Sequence, residues 1–129
     1  GGMPQITTSR VFDQLAFVAP TVLRQAPGDA SRWFVGEKSG IIRVFANNAN
    51  SSSSSVFLDI SAVVDASSEG GLLGFAFHPD FPITPEVYVS YTRGGPFRSY
   101  VSRFFSVDGG QTLSPVPEDV ILEVLFPES

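Results

Sequence analysis

A repeated strand plan is the feature that most constrains this fold. Arg32-Trp33-Phe34-Val35-Gly36-Glu37 and Ile41-Ile42-Arg43-Val44-Phe45 flank Lys38-Ser39-Gly40, and Val56-Phe57-Leu58-Asp59-Ile60 follows. The second half repeats this with Glu86-Val87-Tyr88-Val89-Ser90-Tyr91, Tyr100-Val101-Ser102-Arg103-Phe104-Phe105 and Val120-Ile121-Leu122-Glu123-Val124. Short runs of β-branched and aromatic residues between Gly, Pro, Asn and Ser read as strands, and Lys38-Ser39-Gly40 reads as a hairpin turn. Trp33 matches Tyr88 at an offset of 55 residues, Ile42 matches Val101 at 59 and Phe57 matches Ile121 at 64, a drift that loop length explains. Residues 21–25 and 72–77 add a first strand to each copy, giving four strands per unit.

No apolar stripe at helical spacing carries caps. The predicted fold class is all-β: two four-stranded antiparallel blades of a β-propeller, because four-stranded units at this period are the propeller pattern. Residues 1–14 read as a tail, in which Gly1-Gly2-Met3 looks like an expression remnant, residues 15–66 as the first blade and 67–129 as the second. The same eight strands also fit a compact β-sandwich or barrel. The Asn- and Ser-rich stretch 47–55 reads as a surface loop. Propellers close with roughly four to eight blades, so two leave apolar faces and sheet edges open. Either the chain is a piece of a longer protein or copies associate. Three copies would supply six blades, which makes a homo-oligomer, such as a trimer, the expectation for an isolated chain.

Composition excludes several function classes. The net charge is −5 with only eight Lys and Arg, against the clustered basic face that nucleic acid requires. No stretch of 18 or more apolar residues suggests a membrane-spanning helix. Cysteine is absent and there is one histidine, which argues against a disulfide framework and against a zinc site; no metal ligand is assigned.

That one histidine is the candidate for chemistry. It ends the apolar run within Gly70-Gly71-Leu72-Leu73-Gly74-Phe75-Ala76-Phe77-His78-Pro79-Asp80-Phe81, where a buried strand gives way to a loop. Pro79 holds His78 extended. An unperturbed imidazole exchanges protons near neutral pH. The plainer reading is a histidine that caps the strand. Asp80 either orients His78 or forms an Asx-turn after Pro79. Glu69 reads as solvated loop charge, the glycines as turn and close-packing positions, and Arg93, Arg98 and Arg103 as solvated.

Glu69 to Phe81, followed by Val87-Tyr88-Val89-Ser90-Tyr91, resembles the glucose/sorbosone dehydrogenase family of soluble quinoprotein sugar dehydrogenases. Trp33 to Val44 and Phe57-Leu58-Asp59-Ile60 resemble its first-blade hairpin and closing strand. The likeness covers residues 15–124. It implies a six-bladed propeller of which this chain is the first two blades. It implies pyrroloquinoline quinone (PQQ) and calcium as the parent's cofactors, and a sugar oxidised at its anomeric carbon with hydride passing to the quinone. It implies that His78 is the general base for the anomeric hydroxyl, and a periplasmic or secreted protein. The cofactor-binding residues of the family lie in later blades, so this chain alone is expected to bind no cofactor and to be inactive. A rival reading is a non-catalytic binding module, since the ectodomain of hedgehog-interacting proteins carries a similar propeller. Those proteins are rich in cysteine, and this chain has none. The blandest reading is an inactive, self-associating repeat fragment.

Overall fold

Alternating side chains along each strand decide which residues the two sheets bury between them. The computed structural model describes residues 15–67, 70–94 and 98–125. Its strands are β1 (Pro20–Arg24), β2 (Arg32–Glu37), β3 (Ile41–Ala46), β4 (Ser55–Asp59), β5 (Leu72–Phe77), β6 (Glu86–Arg93), β7 (Arg98–Phe105) and β8 (Asp119–Leu125). They form two four-stranded meanders, β1-β2-β3-β4 and β5-β6-β7-β8, with every neighbouring pair antiparallel. The first strand of the second sheet, β5, packs on β1 and β2. Consecutive meanders stacked through their leading strands are propeller blades.

Gly36 lets β5 approach. A Cβ there would lie 2.9 Å from Leu72 Cδ2 and 2.9 Å from Val22 Cγ1. Gly36 pairs with Ile42, which pairs with Leu58, so Phe34, Ile42 and Leu58 belong to the face that meets the second blade. In the second blade Ser90 pairs with Val101, which pairs with Leu122. The counterpart of Phe34 is therefore Tyr88, one residue away from the Trp33–Tyr88 match. In a strand, one residue is the other face. Phe34, Ile42 and Leu58 are at most 1% exposed, whereas Leu122 is 53% exposed, and Tyr88 and Val101 are half-buried. The second blade thus presents the face that the first blade has covered. Gly74 shows the same: a Cβ there would meet nothing within 4 Å, so the close packing expected at this glycine is not made by any described residue.

An aromatic cluster fills the junction. Phe34 and Phe57 come from the first blade; Phe75, Phe77 and Phe81 come from the second. Ring centroids lie 4.7 Å apart for Phe34–Phe57, 4.9 Å for Phe34–Phe77 and 5.0 Å for Phe77–Phe81. All three pairs are edge-on, a geometry worth about 0.5–1.5 kcal/mol per pair beyond the area buried.

The opposite edge of the junction is pinned by main chain. The Leu72 N–H donates to the Lys38 carbonyl at 3.0 Å, and the Thr92 hydroxyl accepts from the Gly71 N–H at 2.7 Å. That hydroxyl donates in turn to the Asp65 carbonyl at 2.8 Å. Gly71 has φ of 131°, and a Cβ would sit 2.6 Å from the Lys38 carbonyl oxygen, so this position takes only glycine. On the far face of the first blade, the Glu37 carboxylate is 2% exposed and accepts from the Val18 N–H at 2.8 Å and from Arg43 Nε at 3.1 Å.

Phe81→Ala should destabilise the chain by about 3–5 kcal/mol, because it empties a site packed from both blades. The urea midpoint measures this; a midpoint near that of the unaltered chain would mean that Phe81 does not join the blades.

Candidate functional site

The sequence places His78 one residue past the end of β5, and the strand pairing reaches it. Its N–H donates to the Glu86 carbonyl at 3.0 Å. Its carbonyl accepts the Phe81 N–H at 2.9 Å, closing a turn with Pro79 in the second position that proline favours. The Thr84 N–H adds a bond to the Asp80 carbonyl at 3.0 Å. Phe77 on one side and Phe81 on the other enter the aromatic cluster, so the turn is anchored at both ends.

The ring is held as well as the backbone. His78 Nδ1 accepts the main-chain N–H of Asp80 at 3.0 Å. Asp80 itself is exposed. The group that orients His78 is therefore the amide of Asp80. Nε2 has no hydrogen-bond partner among the described residues, and no buried polar side-chain atom among them is left without one, so Nε2 is not sealed in the core.

Beside His78 lies a polar cluster that sequence reading missed. Tyr88 and Arg103 are cross-strand partners, as are Arg103 and Asp119. The Tyr88 hydroxyl donates to Glu86 Oε1 at 3.0 Å. Arg103 donates to Asp119 Oδ2 through Nε at 3.0 Å and Nη2 at 2.7 Å, and its Nη1 lies 3.8 Å from Glu86. The hydrogen bond to Glu86, followed by burial, pushes the Tyr88 phenol above its usual range. Arg93 and Arg98 are likewise paired, with Glu118 and Glu123. Only the register makes these pairings legible: Arg103 and Asp119 are 16 residues apart, yet directly opposed. Glu69 lies outside the described residues.

The second polar cluster is structural. Tyr91 is fully buried, and its hydroxyl lies 2.8 Å from Ser102 Oγ and donates to Glu118. Burial first, then the Glu118 carboxylate, raises its pKa. Arg93 Nη1 binds Glu118 Oε1 at 3.1 Å, and the Tyr91 and Tyr100 rings stack at 5.9 Å.

Comparison with known proteins identifies the architecture. The chain belongs to the glucose/sorbosone dehydrogenase family, whose model matches residues 17–116. Quinoprotein glucose dehydrogenase B of Acinetobacter calcoaceticus is 42% identical over 69 residues, covering 53% of this chain and 14% of that protein. An oxidoreductase of the glucose dehydrogenase type from Thermus thermophilus superposes with a TM-score of 0.64 at 28% identity, over 84% of this chain and 29% of that one. The PQQ-bound aldose sugar dehydrogenase of Streptomyces coelicolor gives a TM-score of 0.64 at 22% identity, over 84% of this chain and 31% of that one, a likeness of fold. The chain thus spans less than a third of the length of these relatives.

Four aspartates close local turns and set an acid limit. Asp29, Asp59 and Asp65 each accept the hydroxyl and the N–H of the serine two residues on, and these bonds, the hydroxyl's foremost, hold their carboxyls below the usual carboxylate range. Asp108 accepts from Thr112 and Ser106, and the Thr112 hydroxyl leads in lowering it to about 2. A carboxyl depressed in the folded state contributes stability that is complete above its unfolded pKa and is lost as pH falls through the folded value. The urea midpoint should therefore fall between about pH 4 and about pH 2. Asp108→Asn should flatten that fall, and an unaltered slope would remove Asp108 from the account.

Proposed function

We propose that this chain forms two blades of a longer, PQQ-dependent sugar dehydrogenase that oxidises the anomeric carbon of its sugar. The family match over residues 17–116 carries this reading. The name of the Acinetobacter relative and the PQQ-bound state of the Streptomyces structure supply the sugar and the quinone. The quinone, when bound, provides the electron sink that the protein's own side chains lack.

The described residues do not by themselves fit that cofactor. PQQ is a tricarboxylate, and calcium takes roughly six to eight oxygen ligands. No three His, Asp or Glu side chains among the described residues converge to hold a metal ion. Arg43, Arg93, Arg98 and Arg103 are each paired with a carboxylate of this chain. We therefore place the cofactor's ligands in other blades of the parent, and expect this chain alone to be inactive.

His78 is the proposed proton acceptor for the sugar's anomeric hydroxyl. Its position supports this: the residue is half-buried, held by its turn, and left without a partner at Nε2 among the described residues. In the full-length parent, His78→Ala should cut dye-coupled sugar oxidation by roughly 100- to 10,000-fold, the usual contribution of a general base, while quinone binding persists. Unchanged turnover would remove the assignment.

The uncovered face at Tyr88, Val101 and Leu122 supports a third sheet packed there, from the rest of the parent or, for the isolated chain, from another copy. The isolated chain should self-associate, as a trimer if six blades close the ring. A monodisperse monomer in light scattering would count against that assembly. We place the parent in the periplasm or outside the cell; fractionation of the native host tests this.

A further inference from the structure

We infer that residues 15–19 cap the outer face of the first blade in the place of a neighbouring blade, and that the open face of another copy's second blade displaces them. The inference rests on the stacking of copies proposed above. It adds the surface that receives the incoming copy and the segment that guards it.

Strand alternation puts Trp33, Val35 and Glu37 on the face of β2 opposite to Gly36, and Phe45 and Arg43 are the cross-strand partners of Trp33 and Val35 there. The counterparts of Trp33, Val35 and Glu37 in the second blade are Val87, Val89 and Tyr91, all fully buried on the side of the first blade. On the first blade, the described residues that lie over this face are 15–19. The Phe17 and Phe45 ring centroids are 5.6 Å apart. The Val18 N–H donates to Glu37 Oε2 at 2.8 Å, and the Ala19 carbonyl accepts the Lys38 N–H at 2.9 Å. A short segment thus sits where the second blade meets a whole sheet.

The segment is held in a way that allows release. Ala19 has φ of 50°, a left-handed conformation that a residue with a Cβ rarely adopts. The Val18 side chain is 72% exposed, so it adds little to the packing. Glu37 keeps Arg43 Nε at 3.1 Å, so its carboxylate retains a charged partner when the Val18 N–H leaves. The incoming surface is that of Tyr88, Val101 and Leu122, the uncovered counterparts of Phe34, Ile42 and Leu58. The junction within the chain already joins these two kinds of face, and a second copy repeats it head to tail.

The single tryptophan, Trp33, lies on the capped face and reports on it. Sedimentation over a concentration series, with acrylamide quenching of Trp33, tests the competition. Phe17→Ala removes the ring from Phe45. Val18→Pro removes the donor to Glu37 and alters only an exposed side chain; if one variant does not fold, the other decides. Each should lower the dissociation constant of self-association by about tenfold. In the dilute monomer of each variant, Trp33 should be more open to acrylamide than in the unaltered chain, and it should regain protection on association. Unchanged dissociation constants in folded variants would overturn the inference and leave the stacking of copies standing. Association with Trp33 still open would also overturn it, because the incoming copy would then sit elsewhere. No association in any of these chains would overturn the stacking itself, and the inference with it.

Discussion

The contact on which everything else rests is the aromatic cluster between the blades. Phe34 and Phe57 offer their edges and faces to Phe77 and Phe81, with centroid distances of 4.9 Å for Phe34–Phe77 and 6.4 Å for Phe57–Phe81. Two four-stranded meanders have no covalent reason to stack squarely; a set of interlocked rings gives them one, because edge-on packing is directional where aliphatic contact is not. Gly36 then sets how near the sheets come, and the Leu72–Lys38 main-chain bond ties them at the other edge. The His78 turn inherits its position from this arrangement, since the residues at both of its ends are members of the cluster.

Strand positions were legible in the sequence because period-two patterning and turn residues are local signals. The eight runs read from the chain became eight strands, with shifts of a residue or two at their ends. What was less legible is which face each residue takes. Trp33 and Tyr88 look alike as aromatic strand residues, yet the ladder makes Tyr88 the partner in role of Phe34. A bulge between Ile42 and Arg43 and another between Val101 and Ser102 reset the alternation, and no residue type announces them. The same gap hid the buried Glu37 and the arginine–carboxylate pairs, which depend on pairings across strands.

His78 shows the division between what residue type and geometry each supply. Its residue type is evident from the sequence, and so is the extended backbone that Pro79 imposes. Which ring nitrogen is held is not, because it depends on the direction of one amide two residues away. The carboxylate of Asp80 drew attention as the charged neighbour, and its main chain proved to be the orienting group. Matching side chains by type therefore leaves their orientation to be read from the backbone.

The linking segment and the imidazole lie at opposite ends of β5. Gly71 leads into that strand beside Lys38 and Thr92, whereas His78 leaves it beside Glu86. Between them β5 is paired with β6. The imidazole is therefore placed by β5 and the turn that follows it, at the rim away from the glycine-restricted turn that joins the blades.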